Sequence, residues 1–227
     1  MKGCFITFEG GEGSGKSTQI KMLADALVKM GKGVVTTREP GGCPSAEEIR
    51  SLLVTGAADR WEKTSETLLF YASRNEHLVR KIIPALESGQ IVLCDRFIDS
   101  TMAYQGYGYG NDEDQQNLIK SLNNFVVRDV QPDITFLLDI DVNEGLKRSR
   151  RADNTEQRFE DKNVLFHQQL RNAYLEMAKQ DPERIVVIDA NRPKEVVHQQ
   201  IFQELMNRQI LNKNIMTPCL KKNAVRL

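Results

Sequence analysis

Residues 10–17 read Gly-Gly-Glu-Gly-Ser-Gly-Lys-Ser, a match to GxxxxGK[ST], with the apolar run Phe5-Ile6-Thr7-Phe8 just before it and a helical pattern just after. Few short motifs constrain a fold so tightly, because this one works only as strand, loop and helix in that order. Glycines let successive backbone N–H groups turn inward around a phosphate at the positive end of a helix. Lys16 is then placed to hold the β and γ phosphates, and the Ser17 hydroxyl to ligate Mg²⁺. Gly10, Gly11, Glu12, Gly13, Ser14, Gly15 and Thr18 complete the expected cradle for ATP.

The rest of the chain alternates short apolar runs with longer amphipathic stretches, the pattern of a parallel sheet covered on both faces. Five strands are expected, at about 4–8, 33–37, 90–94, 134–140 and 184–188. Helices are expected at about 16–30, 45–55, 65–88, 113–128, 142–151, 163–180 and 194–207. The fold class is therefore α/β: a three-layer, doubly wound, five-stranded parallel sheet with right-handed crossovers. Gly-Tyr-Gly-Tyr-Gly at 106–110 reads as a mobile surface turn.

Charge narrows the function classes. The 31 basic and 31 acidic side chains cancel, which argues against a nucleic-acid coat protein or a polybasic membrane binder. No window approaches the ~20 apolar residues that span a bilayer. Cys4, Cys43, Cys94 and Cys219 are scattered, with no CxxC pair, and read as reduced thiols of a cytoplasmic protein. Beyond residue 208 lie Lys213, Lys221, Lys222 and Arg226 and no acid, leaving 27 bases against 31 acids before it. The expected organisation is one phosphate-loop domain over 1–208 followed by a loosely ordered basic tail over 209–227.

A triphosphate site alone leaves GTPase switches, motor ATPases and small-molecule kinases open. There is no Asn-Lys-x-Asp guanine-reading motif and no DxxG switch after a second strand, so a regulatory GTPase is disfavoured. The third strand ends Ile-Val-Leu-Cys-Asp-Arg, placing Asp95 at the carboxyl edge where open sheets gather ligands. Asp95 is the expected carboxylate on the Mg²⁺ side, and Arg96 a phosphate clamp.

Five segments in order, FEGGEGSGKST, TREPGG (37–42), LLFYASRNEH (68–77), DRF-x-x-STMAYQG (95–106) and LLDID (137–141), resemble the bacterial thymidylate kinases over about residues 3–207. The resemblance implies transfer of the ATP γ-phosphoryl group to dTMP with Mg²⁺, by an enzyme that forms a homodimer and needs neither nucleic acid nor membrane. Phe70 and Arg74, four apart on a helix, face the same way. By resemblance Phe70 stacks on thymine, Arg74 contacts the base, and Thr101 and Gln105 lie at the pyrimidine edge. Tyr104 falls where the family packs a tyrosine under the sugar, leaving no room for a ribose 2′-hydroxyl, and Glu12 where an acid meets the 3′-hydroxyl. Arg38 and Pro40, at the second strand's exit, are expected beside the monophosphate, with Arg50 a weaker candidate.

One branch of this family carries an arginine inside the phosphate loop, where this chain has Gly13. The other supplies the charge from a lid, and Lys-Arg-Ser-Arg-Arg at 147–151 followed by Arg158 resembles that lid, spanning about 147–160. Arg150 is the first candidate for the transferred phosphoryl and Arg158 the second; Gln157 stands where the family has an Asp. Arg192, after the last strand, is a candidate for the adenine wall. Two alternatives stay open: another small-molecule P-loop kinase, acting for example on AMP or GMP, and a nucleotide-binding regulator without turnover.

Overall fold

A computed structural model describes residues 3–57, 59–108, 110, 112–150 and 163–211. The apolar runs form strands β1 (Cys4–Glu9), β2 (Val34–Arg38), β3 (Ile91–Asp95), β4 (Ile134–Asp139) and β5 (Ile185–Asp189). They make one parallel sheet of order β2-β3-β1-β4-β5. The register sets Ile6 beside Leu93 on one side and Ile134 on the other. Period-two alternation sends Ile6, Phe8, Leu93, Phe136 and Leu138 to one face, and Phe5, Val92, Cys94 and Leu137 to the other. Both faces are apolar because both are covered.

On the first face lie α1 (Lys16–Lys29) and the last helix, α9 (Lys194–Asn207), which bury Ile20, Leu23 and Leu27 against Val197, Ile201 and Leu205. Full burial of each such side chain is worth about 1.5–3 kcal/mol. Ile210 and Leu211 join this core at 3% and 4% exposure, so the packed domain continues to residue 211. This corrects the tail expected from residue 209; its remainder, 212–227, falls outside the described residues.

The second face is covered by a longer series. It includes α2 (Pro44–Val54), α3 (Lys63–His77), α4 (Ile83–Glu87), α5 (Ile98–Thr101), α6 (Glu113–Leu122), α7 (Val142–Arg150) and α8 (Val164–Gln180). Pro44 opens α2, where its missing N–H costs nothing. Asp112 caps α6 by accepting from the Gln115 N–H, and Asn163 caps α8 by accepting from the Phe166 N–H.

Two expected helices are interrupted by wider π turns. The stretch 65–88 is α3, a π turn over Leu78–Ile82 and α4, with Pro84, which cannot donate, just beyond the turn. The stretch 113–128 is α6 followed by a π turn over Asn123–Val127. The 106–110 segment corrects the expected surface turn. Gly106 lies in a π segment over Met102–Tyr107, and Gly106 and Gly108 are buried. A methyl on Gly108 would overlap the Tyr104 carbonyl and the Phe166 ring, so tertiary packing against α8 holds what local propensity would leave loose.

Candidate active site

All five strands end in an ionisable residue at the same edge of the sheet: Glu9, Arg38, Asp95, Asp139 and Asp189. That edge, at the strands' carboxyl ends, is where a doubly wound sheet binds ligands. Above it opens a cleft of about 800 Å³.

The phosphate loop forms its floor. Gly10 (φ 133°) and Gly13 (φ 64°) take left-handed or near-forbidden conformations, and a methyl on Gly13 would overlap the Gly145 carbonyl of α7. The loop therefore seats directly on that helix. Lys16 Nζ donates to the carbonyls of Gly10 (3.1 Å) and Gly11 (3.0 Å) and to Ser14 Oγ (3.4 Å). Burial, then the neighbouring Arg96 charge, holds the Lys16 ammonium below its usual pKa, so an arriving phosphate relieves an uncomfortable cation. Ser17 Oγ donates to Asp95 Oδ2 at 2.8 Å. A hydroxyl and a carboxylate meeting at one point, with phosphate and water left to fill the shell, fit the donor set Mg²⁺ takes.

Arg96 ties this floor to the opposite wall. A non-glycine residue at φ 67°, it donates through Nη2 to Glu12 (2.8 Å) and through Nη1 to the Gly10 carbonyl (3.1 Å). Tyr104 Oη also donates to Glu12, at 2.8 Å. Burial opposes charge on Glu12, but Arg96 and then Lys16 outweigh it and keep the carboxyl below the usual range. The expected phosphate clamp is thus a half-buried cation shared with Glu12.

The wall beyond it is built around Arg74, 1% exposed. Its Nε donates to Glu39 Oε2 (2.8 Å), and its Nη2 to Thr101 Oγ1 (2.8 Å) and the Phe97 carbonyl (3.0 Å). Nη1 is buried with no protein partner. Burial disfavours a charged Glu39, yet Arg74 and His77 hold its carboxyl low. His77 Nδ1 lies 3.0 Å from Glu39, and its Nε2 2.7 Å from Thr37 Oγ1. A buried cation whose two Nη1 hydrogens have no protein partner lines the cleft one helical turn from half-buried Phe70. Gln105 is buried, with its amide donating to Glu66 at 3.0 Å.

The remaining expected residues divide. Pro40, Arg38 and Arg50 line the cleft. Arg50 donates to the Pro40 carbonyl, whereas Arg38 is half exposed and paired with Glu47 at 3.2 Å. Thr18 and Arg192 line the opposite end, Arg192 paired with Asp189. Of the lid arginines, Arg148 lines the cleft, donating to Glu144 (3.0 Å) and the Ala190 carbonyl (3.1 Å). Arg150 is exposed at the end of α7 and is not part of the cleft lining, and Arg158 lies outside the described residues.

Sequence reasoning missed Glu9, Glu39, His77, Ser100 and Tyr174. Glu9, a carboxylate closing an otherwise apolar strand run, carried a signal in that contrast alone. The other four declare themselves only through contacts spanning tens of residues. Among the described residues no group of three or more His, Cys, Asp or Glu is placed to cage a metal, and no helix is long and apolar enough to cross a membrane.

A parallel sheet of this order, with a phosphate loop after β1 and a carboxylate at the end of β3 bonded to the loop's serine, defines a P-loop phosphotransferase acting on small molecules. The Thymidylate kinase family model matches residues 8–201. A thymidylate kinase from Magnetococcus marinus is 52% identical over 92% of this chain and 98% of that protein. One from Caulobacter vibrioides is 49% identical over 91% and 98%. The crystal structure of thymidylate kinase from Ehrlichia chaffeensis superposes with a TM-score of 0.73 at 39% identity, over 90% of this chain and all of that one. The chain belongs to the thymidylate kinase family. The alternatives of an AMP or GMP kinase and of a regulator without turnover are not favoured.

Proposed function

We propose that this cleft carries out the family's reaction with a division of labour that its geometry supports. As an enzyme of this family, the chain transfers the γ-phosphoryl group of ATP to dTMP, giving dTDP and ADP. An oxygen of the acceptor phosphate forms the new P–O bond as the bond to the β-phosphate oxygen breaks, and charge spreads over the equatorial oxygens. Fixed cations aimed at those oxygens are the chief source of rate.

Lys16 and the loop N–H groups hold the donor, and Ser17 with Asp95 would hold Mg²⁺, whose charge, when bound, offsets that of the β and γ phosphates. Arg96 bridges the two halves. Phe70 stacks on thymine, a contact worth ~1–3 kcal/mol that tolerates any base. Discrimination falls to Arg74, whose unpartnered Nη1 hydrogens suit a carbonyl acceptor. Tyr104 and Glu12 meet the sugar, Arg38 and Arg50 the monophosphate, Arg192 the adenine end. The charge reaching the transferred group comes from α7, with Arg150 first and Arg148, already at the cleft, beside it.

The homodimer is part of this reading. Leu68, Ala72, Asn75 and Val79 form one exposed stripe along α3 and its π turn, and Phe125, 71% exposed, stands on the π turn of the adjoining helix. The buried thiols Cys4, Cys43 and Cys94, none of them in a disulfide, support a cytoplasmic setting.

The observation that carries the function is that one cleft joins the phosphate loop to the Phe70–Arg74–Thr101 wall. Thermal denaturation tests it: dTMP at 100 times its dissociation constant should add ~2.7 kcal/mol of stability, read as a raised Tm. No shift with dTMP at millimolar concentration would contradict an acceptor site.

A further inference from the structure

Glu9 closes β1 one residue before the phosphate loop, and the reaction as described gives it no task. It is 1% exposed. Its Oε1 accepts from the N–H groups of Phe97 (2.8 Å) and Ser100 (3.3 Å), and its Oε2 from the hydroxyls of Ser100 (2.5 Å) and Tyr174 (3.2 Å). Those same two hydroxyls receive Arg96 Nη1, at 3.2 and 3.3 Å. Arg96 occupies left-handed backbone, which a non-glycine residue keeps only where its surroundings over-determine it. The Phe97 and Ser100 N–H bonds pin the turn immediately after it.

We propose that Glu9 is a positioning residue: its carboxylate fixes the 96–100 turn and, through Ser100 and Tyr174, keeps the Arg96 guanidinium aimed at Glu12 and the phosphate loop. This rests on the phosphoryl-transfer reading of the cleft. The chemistry requires the ionised form. As an acceptor, Glu9 takes the Ser100 hydrogen, and Tyr174 directs its own toward Glu9 and Ser100 Oγ (2.8 Å), so both oxygens keep a lone pair for Arg96. A proton on Oε2 would need an acceptor, and among the contacts above the two hydroxyls are the ones able to accept it. They would then turn hydrogen toward Arg96 and loosen it.

Glu9 titrates in a range that makes this measurable. Burial first, then the Asp99 charge on α5, pushes its carboxyl up to about 7, against the Ser100 hydroxyl, Arg96 and the Phe97 N–H. Asp99 is itself held by Arg184 at 2.6 and 2.8 Å. The other ionisable groups interacting with Glu9 are Lys16 on α1, Arg74 on α3, Cys94 on β3 and Tyr174 on α8. Above pH 7 Glu9 is charged and Arg96 held; below, the hold is lost.

The test is kcat and KM for dTMP across roughly pH 5.5 to 9. The wild type should lose kcat below pH 7. Glu9→Gln should cost about 10-fold in kcat at pH 8 with KM for ATP little changed, as for a group acting in the transition state. Its acid limb should fall to about 6, where the substrate's own phosphate titrates. A wild type without a limb near 7, a Glu9→Gln that keeps full kcat, or one that keeps that limb overturns the proposal. Should Glu9→Gln fail to fold, Ser100→Ala answers instead: losing the hydroxyl that favours the charged form should move the limb to higher pH, and an unmoved limb is contrary. A wild type inert toward dTMP would sink the phosphoryl-transfer reading itself, a result distinct from any of these.

Discussion

Arg74 is 1% exposed, and most arginines so buried would cost more than they return. Glu39 neutralises it, Thr101 and the Phe97 carbonyl take two more of its hydrogens, and Tyr71 and Phe97 flank the guanidinium at 4.8 and 5.1 Å. The two hydrogens on Nη1 are left over. A side chain tethered this firmly can discriminate between bases, because a misplaced partner cannot pull it along. In the proposed reading Tyr104 works by the opposite means, filling space: it is held to Glu12 and packed edge-on against Phe166. Tyr104→Ala should therefore relax discrimination between the deoxy and ribo forms of the acceptor, measured as the ratio of their kcat/KM values; an unchanged ratio rejects exclusion by packing. Arg150→Ala should lower kcat by about 10³ while dTMP binding changes little, since a cation of this kind acts on transition-state charge. Wild-type turnover in that variant would pass the role to Arg148.

At the scale of elements, the contact that matters most is between the phosphate loop and α7. Gly13 and Gly145 meet backbone to backbone, and a methyl on Gly145 would overlap the Glu12 carbonyl. Gly145→Ala should displace the loop, weakening ATP-dependent stabilisation in a thermal shift assay even though alanine is the better helix former by about 1 kcal/mol. Stabilisation equal to wild type would show that the loop tolerates the shift. This coupling was not legible in the sequence, where the two glycines lie far apart. The strands were legible to within a residue, because runs such as Ile91–Asp95 are buried on both faces and bounded by turn residues. The helix from Ile98 through Tyr107 was hidden by Gly106 and the glycines that follow it, and is held in place by packing against α6 and α8. The phosphate loop and Asp95 could be placed at the cleft from spacing alone. That Arg38, Phe70, Arg74, Thr101 and Tyr104 line the same cleft needed the order of several motifs, and the contacts of Glu39 and His77 needed the fold.

At the scale of the molecule, the described residues form one sheet whose carboxyl edge opens into a single cleft. In the proposed reading, donor groups gather over β1 and the loops after β4 and β5, acceptor groups over β2, β3 and the helices α3 and α5, and Arg96 stands between them. Because both halves open into a single cleft, bound dTMP and the γ-phosphate of bound ATP can share it. The claim that the acceptor is a pyrimidine deoxynucleotide is tested most directly by ADP release with Mg²⁺ and ATP across dTMP, dUMP, UMP, AMP and GMP. The account predicts the highest kcat/KM for dTMP, with UMP and both purine nucleotides far behind. Release driven faster by AMP or GMP than by dTMP would contradict it.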